Sequence, residues 1–589
     1  MKEITMGLKV LFVHVPHFRK QTFSIGLPPI GYFAMAELLN RHGFDAQIIH
    51  LGLEKILGPD FDLAKEVDQN GFDVVCFAIH WHYQLWDTLC VIKSLKKRVP
   101  QTKIVVGGFT ASYFARQLMQ GQKQIDFIIC GEGEIPLLSL VKNLCLSKPK
   151  NLGGVPNLVW RSGGSVVKNK LTYVATQKDL DDLNFSCCDL MRHFDLLTRL
   201  TETGYSYSSN CNFVKDVKTF MLCPGRGCSV NCFYCGGGKR AQKLISNRNC
   251  HVFRSPRKVV ADIKRIIKYG INNVFMDYDP EPNAGYYDDL FAEIKRSKIK
   301  VLGNFASWAL PSKDFIKKFR ETFLPNSILI ISPDVGSERV RKLTKGFYFS
   351  NSELFGALDF LKDKSLATMV YFFMGTPFET AKEVEQTFAL KEQIAQNYPF
   401  TTPMIYFPEI EPGADFYQRP GKYKVKVLRH GLQDFCNYSK RMAKVKDLGK
   451  IGVEEQMGFR SLTLSAQNLL EITRCHQQKI PLADVKPSAL RLETRLRFSR
   501  DCSIKEFLAV AGKGLELRTS YLATNQVHGV KCELDEIDSK VLELVGEGTT
   551  VADILKRLPG QSVQFLLLKQ AVTAALCKLL RHHVLEISK

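Results

Sequence analysis

Over the first 150 residues, five short apolar runs alternate with helix-like segments: KVLFVHV (9–15), AQIIHL (46–51), DVVCFAI (73–79), KIVVGG (103–108) and DFIICGEGE (126–134). Between the first two, Phe33, Ala36, Leu38 and Leu39 favour one helical face, and Gly43 suits a left-handed stop. Continuous apolar strands joined by helices predict a parallel sheet covered on both faces. In such a fold, ligands bind outside the carboxyl ends of the strands.

Residues 151–215 change character. GGVPNLVWRSGGSVVKNK and LDDLNF carry turn residues that predict a small hairpin and then a linker. Alternation of helix and strand then resumes. Ser255 suits an N-cap with Pro256 at the first helical position, Val259, Ile263, Ile266 and Ile267 share a face, and Gly270 ends the helix. Strands follow at 273–277, 301–306, 327–332 and 367–375, and YFPEIEPGADFY (406–417) reads as the last strand and its loop. The pattern predicts a partial (β/α)6 barrel over 216–420. Beyond it the chain reads as helical and basic over 421–525. Over 526–589, IDSKVLELV capped by Asp535, VADILKRL started by Thr549-Thr550-Val551, VQFLLLKQAVTAALCKLLRHH and a closing VLEI predict a winged-helix-like module.

Composition narrows the class without naming a chemistry. Among 589 residues, 45% are apolar and 24% charged, which is ordinary globular composition. No apolar run is long enough to cross a bilayer, and MKEITMGLKVLFVHV lacks a cleavable signal pattern, so a cytoplasmic protein is expected. The net charge of +22 leans toward anionic partners. Its lysines are scattered over helical faces, as at Lys93, Lys96 and Lys97, which favours a solvated basic surface over a nucleic-acid site. Most of the 17 cysteines, such as Cys76, Cys90, Cys130 and Cys577, stand alone in apolar segments as small hydrophobes.

One tight cysteine cluster remains. In KTFMLCPGRGCSVNCFYCGGGKR, Cys228, Cys232 and Cys235 follow a C-x3-C-x2-C spacing. Three thiolates can bind three irons of a [4Fe–4S] cube and leave the fourth open. The competing reading is a zinc site with Cys223 as fourth ligand. Zinc ribbons, however, usually pair C-x2-C knuckles. With its barrel pattern, the motif resembles the radical S-adenosylmethionine (SAM) superfamily. That resemblance implies that the open iron takes the amino and carboxylate groups of SAM, whose cleavage yields methionine and a 5′-deoxyadenosyl radical. It further implies that the backbone of Gly236, Gly237 and Gly238 meets the SAM amino group, with Gly238 standing where an acidic residue is customary. Ser332-Pro333-Asp334-Val335-Gly336-Ser337-Glu338 resembles the segment near the SAM ribose, with Asp334 replacing a glutamate. Gly375-Thr376-Pro377-Phe378-Glu379-Thr380 resembles a turn beside adenine, in which Glu379 is structural. Asp277 and Asp279 read equally as substrate contacts or loop acids. Glu411-Pro412-Gly413 suits a turn that closes the active site.

The first domain resembles the cobalamin-binding domain that precedes many radical SAM domains. The matching features are Leu27-Pro28-Pro29-Ile30-Gly31, the Gly107-Gly108 turn followed by Thr110, and Gly131-Glu132-Gly133-Glu134. Glycines there are expected to let a large ligand approach the backbone. The Asp-x-His-x-x-Gly signature that supplies a histidine to cobalt is missing. The His80-Trp81-His82 loop is then expected below cobalt, unless both histidines are packing residues. The two resemblances cover roughly two thirds of the chain and together imply an α/β protein with a Rossmann-like cobalamin-binding domain and a radical SAM partial barrel. Three cofactors are expected: a [4Fe–4S] cluster, SAM and cobalamin.

The leading expectation is C-methylation of an unactivated carbon via methylcobalamin and a 5′-deoxyadenosyl radical. The rivals are cyclisation or rearrangement without methyl transfer, RNA methylthiolation, and a non-catalytic cobalamin or redox sensor. A ferredoxin- or flavodoxin-like donor must supply electrons. No strand-end loop distinguishes a small-molecule, lipid or peptide substrate.

Overall fold

The computed structural model describes residues 7–19, 22–23, 26–146, 151–201, 203–205, 214–277, 285–445 and 451–478, and beyond these a few strand segments and single residues between 495 and 587. Strands β1 (Lys9–His14), β2 (Asp45–His50), β3 (Val74–Ala78), β4 (Lys103–Gly107) and β5 (Phe127–Ile129) coincide with the five apolar runs. They form a parallel sheet in the order β2-β1-β3-β4-β5. Alternate side chains of β1 enter different cores: Val10 and Phe12 pack on one face, Leu11 and Val13 on the other. Such two-sided burial is why the strands read as unbroken apolar runs. Helix α1 (Gly31–Arg41) buries Phe33, Ala36, Leu38 and Leu39, and Gly43 follows it at φ +83°.

The hairpin of the connector forms as β6 (Leu158–Ser162) and β7 (Ser165–Lys168). It pairs antiparallel with β5 and so extends the first sheet.

The second sheet contains β8 (Thr219–Met221), β9 (Asn273–Asp277), β10 (Leu302–Ser307), β11 (Ile328–Asp334), β12 (Ala367–Phe373) and β13 (Thr401–Tyr406). All are parallel and lie in chain order, the topology of an open six-stranded barrel. The cysteine loop leads from β8 into helix α2 (Lys239–Ser246). Helix α3 (Pro256–Ile267) follows, with Val259, Ile263 and Ile266 buried. Two details of the sequence reading change here. Ile267 is 37% exposed, because the apolar face is narrower than four residues. Ser255 occupies the cap position, but its hydroxyl bonds Asp181 of the connector, not the helix amides.

The C-terminal region departs further from the helical expectation for 421–525. Helices α4 (Leu432–Lys444) and α5 (Ala466–Gln478) form, but β14 (Cys502–Ala511), β15 (Glu516–Asn525) and β16 (Val530–Leu534) make an antiparallel meander. Leu517, Thr519 and Tyr521 alternate with Glu516, Arg518 and Ser520 at the period of a strand, and Gly512-Lys513-Gly514 is a hairpin signal in the sequence. Thr549–Thr550, expected to start a helix, is a short strand. It and Leu585–Ile587 both pair with Arg495–Phe498. Of the three helices expected over 526–589, Asp553, Leu576 and Leu579 are described, each as helical, and the rest lies outside the described residues, as does Asp279. Among the described residues no helix is long and apolar enough to cross a membrane.

Candidate active site

A cavity of about 630 Å³ opens at the carboxyl ends of β1, β3, β4 and β5, where the strand order reverses. Its floor includes Phe12, His14, Pro29, His80, Gly107 and Gly133, and the barrel contributes Met221, Arg226, Gly227, Gln242 and Ser246 to its wall. The site therefore lies between the two domains.

Gly107, Gly108, Gly131 and Gly133 line the cavity as expected, and two of them also serve packing. At Gly108, with φ +101°, a Cβ would lie 2.6 Å from the Ile79 carbonyl oxygen. At Gly131, with φ +69°, it would lie 2.6 Å from Ser246 Cβ. They let the loops pack on one another, and Gly131 lets the first domain meet α2.

Three histidines reach this cavity. His80 stacks on Phe109 with ring centroids 4.6 Å apart, and burial lowers its pKa to about 4. Thr110 does not line the cavity: its hydroxyl donates to the His80 carbonyl at 3.0 Å and steadies the loop. Trp81 lies edge-on to His80 at 4.8 Å and is 40% exposed. The other two, His14 and His17, escaped the sequence reading, which treated their segment as the end of a strand. His17 Nδ1 pairs with Asp87 at 3.0 Å, while its buried Nε2 has no partner among the described residues. A carboxylate behind an imidazole fixes its ring and tautomer. That orphaned nitrogen makes the cavity a fitting place for a polar cofactor.

His82 is aimed elsewhere. Its Nε2 lies 3.1 Å from Glu409, which also pairs with Arg429 at 3.1 Å. Although burial opposes charge on Glu409, His82 and Arg429 hold its carboxyl down at about 2. His82 thus ties the first domain to the loop after β13 and does not face the cavity, a correction to its expected place below cobalt.

Glu132 and Glu134 form an ionic rim. Glu132 accepts from Arg248 at 2.6 and 3.0 Å and from the Ala175 amide at 2.9 Å. Arg226 pairs with both glutamates. Burial disfavours the Glu132 charge, but Arg248 and Arg226 outweigh it and keep its carboxyl below the usual range.

The cysteine loop borders the same region. Cys232 is buried and Cys228 and Cys235 are partly buried, none of them in a disulfide. Gly237 donates its N–H to Cys235 Sγ at 3.3 Å. Cys223 turns away, with Sγ 3.5 Å from the Gly225 carbonyl. Among the described residues no three His, Cys, Asp or Glu side chains converge on a point for one ion, as a zinc site requires. A cubane differs, since each thiolate binds a different iron. Burial pushes the Cys232 thiol up to about 11 and also raises that of Cys235 well above its ordinary value. Iron would offset this by stabilising the thiolates.

Gly236 is clasped by Glu411, whose Oε2 accepts its N–H at 2.6 Å, and a Cβ there would lie 2.8 Å from the Pro412 carbonyl. Glu411 thus places a carboxylate beside a loop whose own acidic position is Gly238. Its role was visible in sequence only as part of a closing turn, because it lies 175 residues away.

The remaining SAM expectations divide. Ser332 is partly exposed at the carboxyl end of β11. Asp334 is fully buried at φ +66°, with both oxygens 3.5 Å from Lys345 Nζ. A Cβ on Gly375 would meet Leu469 at 2.6 Å, and Pro377 is also buried, so the C-terminal region covers this face of the turn. Glu379 accepts from the Thr376 amide at 2.7 Å and holds the turn.

Comparison with known proteins agrees with this architecture. The model "B12 binding domain" matches residues 21–141, and "Radical SAM superfamily" matches 222–390. Hopanoid C-3 methylase of Methylococcus capsulatus is 30% identical over 157 residues, which cover 26% of this chain and 29% of the methylase. Anaerobic magnesium-protoporphyrin IX monomethyl ester cyclase of Cereibacter sphaeroides is 21% identical over 432 residues, covering 68% of this chain and 63% of the cyclase. The chain therefore spans less than two thirds of either relative. The structure of the radical SAM methyltransferase TsrM from Kitasatospora setae shares the fold, with a TM-score of 0.51 at 13% identity, over 69% of this chain and 74% of TsrM. The chain thus carries a B12-binding domain ahead of a radical SAM domain, the pair of domains that holds cobalamin, a [4Fe–4S] cluster and SAM.

Proposed function

We propose that the chain is a C-methyltransferase that uses SAM and cobalamin to methylate an unactivated carbon. The observation that carries this reading is a shared wall. His80 lines the interdomain cavity and stacks on Phe109, and Phe109 Cε2 lies 3.5 Å from where a Gly237 Cβ would stand, two residues from Cys235. One substrate held near that wall lies within reach of both cofactor sites. When bound, the cluster with SAM supplies hydrogen-atom removal from carbon, and cobalamin supplies a transferable methyl group.

The chain's own residues hold and shield. Cys228, Cys232 and Cys235 would bind the cluster, and the backbone of Gly236–Gly238 would approach SAM. The Asp334–Lys345 pair braces β11 beside this loop. His17 and His80 would contact cobalamin, His80 as an uncharged imidazole. The burial of these groups excludes water from the reacting carbon. A basic surface suits an acidic ferredoxin- or flavodoxin-like electron donor.

The test is product analysis with the anaerobically reconstituted full chain. Methyl transfer gives S-adenosylhomocysteine and 5′-deoxyadenosine together in each turnover. The second reading, cyclisation or rearrangement, is favoured by the likeness to the cyclase. It gives 5′-deoxyadenosine without stoichiometric S-adenosylhomocysteine, a result that would sink the proposal.

A further inference from the structure

The barrel strands divide their apolar residues between two separate groups. Val274, Phe305, Leu329, Ile331, Val370 and Phe372 join the core beneath the surrounding helices. Their strand neighbours Leu302, Ile328, Ile330 and Ala367 form another group, with Phe275 and Met369 packed against it. Successive side chains point to opposite faces of a strand, so this second group lines the barrel lumen. Near the carboxyl ends the lumen opens to solvent, and Asp277, level with Ala306, sets one carboxylate in its wall. Tyr371 and Tyr406 stack with ring centroids 5.8 Å apart. Their hydroxyls turn to the sulfurs of Met369 and Met404, at 3.8 and 3.4 Å, and Tyr406 is 42% exposed.

Among the described residues, two buried side-chain oxygens without a hydrogen bond interrupt this wall: Asn273 Oδ1 at the amino end of β9, level with Leu302, and Asn304 Oδ1 farther up. Asn304 lies between Leu302 and Ala306 on the lumen face of β10, level with Phe275 and Ile328 on the flanking strands. It is 8% exposed, and its Oδ1 accepts no hydrogen bond. Leaving such an oxygen unsatisfied is costly, and a bound donor removes that cost. Charge is scarce as well. None of β8 to β13 contains Lys, Arg or His, so a phosphate or carboxylate entering the lumen finds no countercharge on its wall despite the molecule's net charge of +22.

We infer that the substrate enters the lumen as an apolar body bearing a hydroxyl or N–H donor, which Asn304 Oδ1 accepts, and not as a phosphorylated or zwitterionic molecule. The inference rests on the proposed methyltransferase reading only in treating the lumen occupant as the substrate.

The experiment titrates the full chain, reconstituted anaerobically with iron, sulfide and cobalamin, and follows quenching of its tyrosine and tryptophan emission. The probes are farnesol, the hydrocarbon farnesene, farnesyl diphosphate and tryptophan. Farnesol is expected to bind at least about tenfold more tightly than its diphosphate or tryptophan. Asn304→Leu is expected to weaken farnesol about tenfold, the loss of one buried hydrogen bond, while farnesene binds as before. Met369→Lys abolishes farnesol binding, and Met369→Leu retains it. Tighter binding of the diphosphate or tryptophan overturns the inference, as does farnesol binding indifferent to Asn304→Leu. The probe comparison on the unsubstituted chain decides even where a variant fails to fold. If farnesol binds as expected but product analysis shows no S-adenosylhomocysteine, the methyl-transfer reading fails and the lumen assignment stands.

Discussion

The cysteines show how far residue type alone determines a role. Cys223 and Cys228 each place Sγ 3.5 Å from a carbonyl two residues on, Gly225 and Val230, yet the short strand Gly225–Arg226 separates Cys223 from the loop that carries Cys228, Cys232 and Cys235. Cys228→Ser is expected to abolish the [4Fe–4S] absorbance and SAM cleavage, whereas Cys223→Ser keeps iron and sulfide content within measurement error. Histidines divide in the same way. His17 presents an unpartnered Nε2 at the cavity, and His82 is committed to Glu409. We expect His17→Ala to weaken cobalamin retention through gel filtration about tenfold, the worth of a buried hydrogen bond. His82→Ala should leave retention intact and lower thermal stability instead. Equal retention in both variants would remove His17 from the site.

Among the elements, the turn after β12 carries a titration that can be checked. Burial raises the Glu379 carboxyl to about 7, against the hydrogen bond from the Thr376 amide. The folded chain therefore keeps this proton between about pH 4.5 and 7, while the unfolded chain releases it. The group's contribution is full below the unfolded value and falls as pH rises toward 7. Glu379→Gln removes that dependence and keeps an oxygen acceptor for Thr376. Relative to the unsubstituted chain, the variant should gain up to about 3 kcal/mol between pH 5 and pH 7, read from urea midpoints. A constant difference across that range would mean that Glu379 stays ionised in the fold.

At the scale of the molecule, the first domain, the connector and the barrel meet on Glu132. Its carboxylate takes Arg248 and Arg226 from the barrel and the Ala175 amide from the connector. Arg248 and Glu132 are 3% and 9% exposed, so the pair is shielded from water. Glu132→Gln would leave Arg248 without its countercharge and Arg226 with Glu134 alone, a change expected to cost about 3 kcal/mol. Thermal unfolding followed with cobalamin absorbance should then show earlier separation of the domains. An unchanged midpoint would show that Glu134 alone balances Arg226 and that water compensates Arg248.

The sequence by itself determined the parallel sheet, the barrel strands and the cysteine loop. Each is written in local terms: unbroken apolar runs for strands buried on both faces, and thiols at fixed spacing within one loop. It misjudged the segments from 502 to 534, where a period of two was present but was passed over in favour of a helical, basic composition. Only the tertiary structure decided which polar groups meet. Glu411 reaches Gly236, His82 turns from the cavity to Glu409, and Asn304 is left without a partner inside the lumen. Those outcomes depend on contacts between strand ends far apart in the chain, and no local spacing encodes which loop a side chain will face once the two domains close on each other.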